Sequence, residues 1–206
     1  MVNTAFPVSI QTMELRGQGI VIYYPQVMNL PSMYVQERIN RKIYELVHAL
    51  IRYQYAQQEV DQFEEMIGTF EMKTNERHVL SITFSNYAYA PYHAHGLTIM
   101  KSLTFDVQTG ENYSLEALFK QNSDYINRLS TIVKQQIHER NIDIINHFTE
   151  IASDQDYYIA DQVLVLYFQL YEITPYYVGI PLFPIPLYQI ENIILEESPL
   201  GKLLAN

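Results

Sequence analysis

The chain has no cysteine among its 206 residues. That excludes thiol catalysis, thiolate zinc sites and any disulfide framework at once. Glycine is scarce, with 7 residues, and none are spaced as a phosphate-cradling loop or a dinucleotide fingerprint. The serine-nucleophile signatures G-x-S-x-G and S-x-x-K are absent too, so no motif asks for a cofactor. Cationic side chains are few: 13 Lys and Arg stand against 23 Asp and Glu, a formal net charge of −10. Phosphate backbones and anionic membrane surfaces are held by Lys and Arg, so neither nucleic acid nor a membrane surface is an expected partner. A basic protein would be steered towards such a chain. No apolar run reaches the roughly 18 residues a membrane span requires. The first thirty residues hold neither an apolar signal core nor a small-residue cleavage site. As it stands the chain reads as soluble and cytoplasmic, or extracytoplasmic if Met1 is not the native start and the N-terminus is truncated.

What is present is ample core material: 48% of residues are hydrophobic and 17% charged, the balance of a packed domain rather than a disordered one. Residues 7–15 alternate in part, Gly17-Gln18-Gly19 breaks the run, and residues 20–24 read as a second strand, so a hairpin is expected. Ser32 suits a helix N-cap. Val35, Ile39, Ile43, Leu46, Val47, Leu50 and Ile51 then follow at three- and four-residue spacings, which predicts an amphipathic helix to about Tyr55. Period two returns over residues 69–74, 79–87 and 97–107, a three-strand meander. A short helical piece is expected over 113–119 and a second long helix from Ser123 to about Asn141, with Ile126, Leu129, Ile132, Val133 and Ile137 inward. Residues 156–159 and 163–169 read as strands. The stretch from Ile173 to Leu187, with prolines at 175, 181, 184 and 186, must be extended or looped. A last helix is expected over 188–195. The fold class is therefore α+β: an antiparallel sheet of hairpin and meander strands with two long amphipathic helices packed on it. One compact unit is expected over residues 1–206, with lobes at 1–62 and 63–206 if it divides.

His93 and His95 are two apart and on a strand would face one side, as a pair of metal ligands does. No third or fourth ligand is signalled, and Pro91 and Gly96 favour a polar loop with two ordinary histidines. Asp154, Asp156, Asp161 and Glu172 could supply a carboxylate pair for glycoside hydrolysis at the right separation, although Asp154 and Asp161 also read as turn and cap residues. Tyrosine is the conspicuous residue, 18 of them beside no tryptophan. Strands favour tyrosine, and so do recognition surfaces. The group Tyr171, Glu172, Tyr176 and Tyr177, beside a proline-rich loop, is the candidate binding surface, with His95 as a further candidate.

Residues 94–98, 102–106, 109–111 and 113–119, together with 156–159, 164–173, 175–176 and 179–181, carry a family resemblance. They resemble the C-terminal domain of the RsiV-type anti-sigma factors, extracytoplasmic sensors that bind lysozyme. Similar domains stand beside the catalytic module of the peptidoglycan deacetylase PdaC, where they are not the catalytic part. The resemblance spans roughly residues 66–196. It implies a non-catalytic binding module for a basic, lysozyme-like protein or a cell-wall glycan such as a peptidoglycan fragment. A cytoplasmic structural or self-assembly protein, and a cell-wall hydrolase using the late carboxylates or the histidine pair, are the other expectations. A row of exposed tyrosines would suit a glycan; an acidic, protruding loop would suit lysozyme.

Overall fold

A computed structural model describes residues 7–204; the question of Met1 as the native start lies outside them. The chain divides into two compact units, one ending at Asn112 and the other beginning at Tyr113.

In the first unit, β1 (Ser9–Gly17) and β2 (Ile20–Met28) form the expected hairpin, in register from Ser9 opposite Met28 to Gly17 opposite Ile20. Gly19 closes it at φ 69, in the region glycine enters without a Cβ penalty. Helix α1 (Met33–Gln58) follows, capped by Ser32, whose hydroxyl accepts a hydrogen bond from the Val35 amide. It continues one turn past the expected end and stops at Glu59, which takes a left-handed conformation. Strands β3 (Glu65–Glu76), β4 (Val79–Tyr89) and β5 (Leu97–Asp106) make the meander, and β6 (Glu111–Asn112) adds a short edge. The six strands lie in sequence order in one open sheet.

The α+β class holds, and one pairing makes the sheet mixed. Chain returning from α1 lays β3 parallel to β2, over Ile20–Ile22 against Met66–Gly68. A helical crossover is what a parallel neighbour needs, so the helix itself sets this direction. Because the pairing is short, the upper part of β2 lacks a strand on that side. Asn40 of α1 fills the gap: its side-chain amide accepts from the Val27 amide and donates to the Val27 carbonyl, at 2.7 and 2.9 Å. Ile39, Ile43, Val47 and Leu50 pack onto Ile22, Met66, Leu80, Ile82 and Phe84 as one core. Gln54 is fully buried beside them and donates to the carbonyls of Asn86 and Leu97.

In the second unit, a single 3₁₀ turn over Glu116–Leu118 stands where a short helical piece is expected. Helix α2 (Tyr125–Glu139) buries Tyr125, Leu129, Ser130 and Val133. Strands β7 (Tyr157–Ala160), β8 (Val163–Tyr167) and β9 (Leu182–Pro186) form a separate antiparallel sheet, so the two long helices belong to two sheets rather than sharing one. The helix expected over 188–195 is replaced by 3₁₀ turns at Leu187–Gln189 and Glu191–Ile193. The cause is competition for its backbone groups. The Lys120 main-chain N–H donates to the Ile193 carbonyl and Leu195 N–H to the Leu118 carbonyl, which holds Ile194 extended against Phe119. The final helix, α3 (Pro199–Leu204), instead uses the residues expected as a tail.

Candidate functional site

The loop between β8 and β9 carries four of the five binding candidates. Its backbone is pinned at both ends. Gln169 N–H donates to the Glu172 carboxylate at 2.7 Å, and Glu172 N–H returns to the Gln169 carbonyl at 3.1 Å. This closed turn holds Tyr171 at φ 65, a conformation a bulky residue adopts only when its surroundings over-determine it. Further on, Tyr176–Val178 is a 3₁₀ turn that ends at Gly179, φ 80, where nothing crowds the missing Cβ. Buried Thr174 secures it by donating to the Gly179 carbonyl at 3.3 Å.

The result is a small aromatic platform. The rings of Tyr171 and Tyr176 stack at 5.6 Å between centroids with 27° between planes. Tyr177, 73% exposed, points its hydroxyl at the Asp143 carboxylate and donates to it at 2.5 Å. That bond, which needs the phenol protonated, raises the Tyr177 pKa above its usual value, with burial and the Asp143 charge acting the same way. The strand of loop bearing Asp143 is tied in through the Ile145 amide, which donates to the Ile173 carbonyl. Exposed Ile144 and Ile145 add apolar area beside it. The stacked Tyr171–Tyr176 pair, the Tyr177–Asp143 pair and the Glu172 carboxylate are thus all carried by the 171–177 loop and the segment bonded to it. Nothing in the sequence signals Asp143, because it is 34 residues from Tyr177 and no local pattern joins them.

His95 belongs to the first unit, in the loop between β4 and β5. Its Nδ1 lies 3.0 Å from the Gly96 carbonyl. The Tyr87 ring lies close over Gly96, where a Cβ would stand 2.3 Å from it unless the ring moved. Among the described residues, no three His, Cys, Asp or Glu side chains gather as a metal-binding cluster, His93 and His95 included. The late carboxylates hold structure. Asp156 accepts from the Gln169 side-chain amide at 2.8 Å, and Glu172 accepts from the Gln169 main chain. Asp161 turns the β7–β8 hairpin at φ 50. Asp154 is exposed, and its charge, after burial and Glu116, contributes to raising the Tyr125 pKa. No described helix is long and apolar enough to cross a membrane.

Comparison with known proteins supports the family resemblance. Residues 116–188 match the family described as Protein of unknown function (DUF3298). Two curated relatives from Bacillus subtilis are similar over most of the chain. The peptidoglycan-N-acetylmuramic acid deacetylase PdaC is 25% identical over 172 residues, covering 69% of this chain and 35% of the deacetylase. The anti-sigma-V factor RsiV is 26% identical over 147 residues, covering 66% of this chain and 48% of RsiV. The chain thus spans about a third and about half of these relatives. Solved structures share the fold. A DUF3298 family member from Bacteroides fragilis superposes with a TM-score of 0.70 at 12% identity, over 97% of this chain and 98% of that one. A DUF3298 family protein from Pseudomonas aeruginosa gives 0.71 at 13% identity, over 98% of each. The RsiV-type resemblance therefore holds in the domain match and in the curated relatives.

Proposed function

We propose that this chain, an RsiV-type relative with a DUF3298 match in its second unit, is a non-catalytic recognition module whose 171–177 loop docks a basic, lysozyme-like protein. The observation that carries the reading is the platform of Tyr171, Tyr176 and Tyr177 flanked by Asp143 and Glu172. Tyrosines fixed by stacking and hydrogen bonding lose little side-chain freedom on binding, which is how small aromatic groups come to dominate interfaces. The neighbouring carboxylates and the net charge of −10 favour a cationic partner and speed its encounter. A partner of this kind carries with it the extracytoplasmic of the two locations. A hydrolase would need its late carboxylates turned to a substrate, whereas Asp156 and Glu172 are engaged with Gln169.

Calorimetric titration with an animal-type lysozyme tests this, repeated at about 0.5 M salt, where the screening length falls to roughly 4 Å. Saturable binding that survives salt, and weakens about tenfold or more in Tyr177→Ala, is the expected result. Binding that disappears with salt, or that Tyr177→Ala leaves unchanged, sinks the assignment of this loop. Self-association of the chain with no lysozyme binding would return it to the structural reading.

A further inference from the structure

Ring faces and carboxylates are the two kinds of group that the 171–177 loop offers a partner, and the chain around it narrows what can sit there. From Asn141 to Gly201 there is no lysine or arginine, while acidic residues recur, Asp143 and Glu172 among them. The bonds these two carboxylates accept from the Tyr177 hydroxyl and the Gln169 amide come from neutral donors and cancel neither charge. Arg140, the cation that precedes this stretch, is committed elsewhere: it donates to the Leu182 carbonyl at 2.7 Å. The stretch of chain that builds the platform is therefore anionic throughout, and positive charge has to come from the partner.

The rings then select among cations. Tyr171 and Tyr176, stacked at 5.6 Å and 27°, stay 48% and 38% exposed. What they expose is flat, held in place by the closed turn at Gln169 and Glu172, and negative at its face. A lysine ammonium is compact and strongly hydrated, so it gives up much water to reach a ring. A guanidinium is planar and weakly hydrated; it lies flat on an aromatic face while its edge still donates to a carboxylate. The same unit already uses this contact internally, with the Arg140 guanidinium carbon 5.6 Å from the centroid of the Phe183 ring. We propose that an arginine of the basic partner seats its guanidinium on the Tyr171–Tyr176 pair, with its N–H groups turned to the Glu172 carboxylate. The seat presupposes that the 171–177 loop docks a basic protein, and it specifies which side chain the loop captures.

The test is calorimetric titration of the full chain at about 0.5 M salt with three forms of an animal-type lysozyme: unmodified, lysine-acetylated, and arginine-blocked with a 1,2-dione. Blocking arginine should weaken binding about tenfold or more, and acetylating lysine less than about threefold. High salt keeps the loss of net charge, common to both modifications, from deciding the result. On the chain, Tyr171→Leu should bind about tenfold more weakly than Tyr171→Phe, which keeps the ring. Glu172→Gln, which keeps an acceptor for the Gln169 amide, should weaken binding about threefold or more. The modified lysozymes leave the chain untouched, so their result stands even if a loop variant folds poorly. Acetylation costing as much as arginine blocking, or equal binding by the Leu and Phe variants, overturns the arginine seat alone. No saturable binding of unmodified lysozyme overturns the docking of a basic protein, and the seat with it.

Discussion

In the first unit, β1 to β5 run nine to twelve residues and pair along most of their length. In the second, β7 to β9 have four or five residues each, and 3₁₀ turns and proline-bearing loops fill much of the remainder. Both units bury side-chain amides that bond main chain: Gln54 in the first, and in the second Gln155, which donates to the Tyr167 carbonyl. The second unit adds exposed Arg128 and Arg140 and half-buried Gln136, which fasten irregular main chain from outside. Long regular strands spend their backbone groups on one another and leave little main chain to shape. Short strands leave segments that side chains must hold, and such segments can present fixed rings like Tyr171 and Tyr176. The contrast explains why the surface with recognisable chemistry lies on the second unit.

The largest effects should be alike in the two cores. Phe84 is buried in the first, and Phe183 in the second packs edge-on against Phe168. Replacing either with Ala should cost about 3–5 kcal/mol by urea denaturation. A cost under about 1 kcal/mol for Phe183→Ala would show the second core to be poorly packed and break the comparison. Next, Gln54→Ala leaves the Asn86 and Leu97 carbonyls without that donor in a buried setting and should cost about 1–3 kcal/mol. Gln136→Ala removes an equivalent link at the surface, where water replaces the donor, and should cost less than about 1 kcal/mol. Equal losses would mean that exposed fastenings matter as much as buried ones.

The two helix starts sharpen the same point on a smaller scale. Ser32 caps α1 with a side-chain bond, whereas Asp124 precedes α2 without one and bonds Asn127 instead. Ser32→Ala should cost about 1 kcal/mol and Asp124→Ala about 0.5 kcal/mol or less, compared by thermal unfolding. The smallest effect is titration of Tyr177. Its pKa is raised in the folded chain, so the Asp143 bond contributes stability that is present below the ordinary tyrosine range. That contribution is lost as pH rises through the raised folded value. Site-resolved NMR of labelled tyrosine should place the Tyr177 midpoint above those of unhindered tyrosines, and Asp143→Asn should bring it down. An unmoved midpoint would remove the hydrogen bond from the account of the loop.

Residues 35–51 carry their helix in plain view, because apolar side chains at helical spacing must find a core wherever the helix lies. The meander over 69–107 is equally legible from period-two alternation. Tyr171, Glu172, Tyr176 and Tyr177 are recognisable as a group from their neighbourhood in the chain, but the stack of Tyr171 on Tyr176 and the Asp143 partner are not. Residues 188–195 read as helix, since Leu187, Ile190 and Ile194 have helical spacing. Only the long-range bonds of residues 193–195 to 118–120 divert them.

By itself, then, the amino-acid order determined the α+β class, the two long helices, the hairpins and their caps, and the shortage of groups for thiol, phosphate or cofactor chemistry. Tertiary structure alone decided the parallel entry of β3 beside β2, the division at Asn112 and Tyr113, the separate second sheet, and the tyrosine platform. The physical reason is range. Periodicity, capping and turn chemistry act within a few residues, whereas each of these decisions satisfies backbone groups or buries rings between segments tens of residues apart.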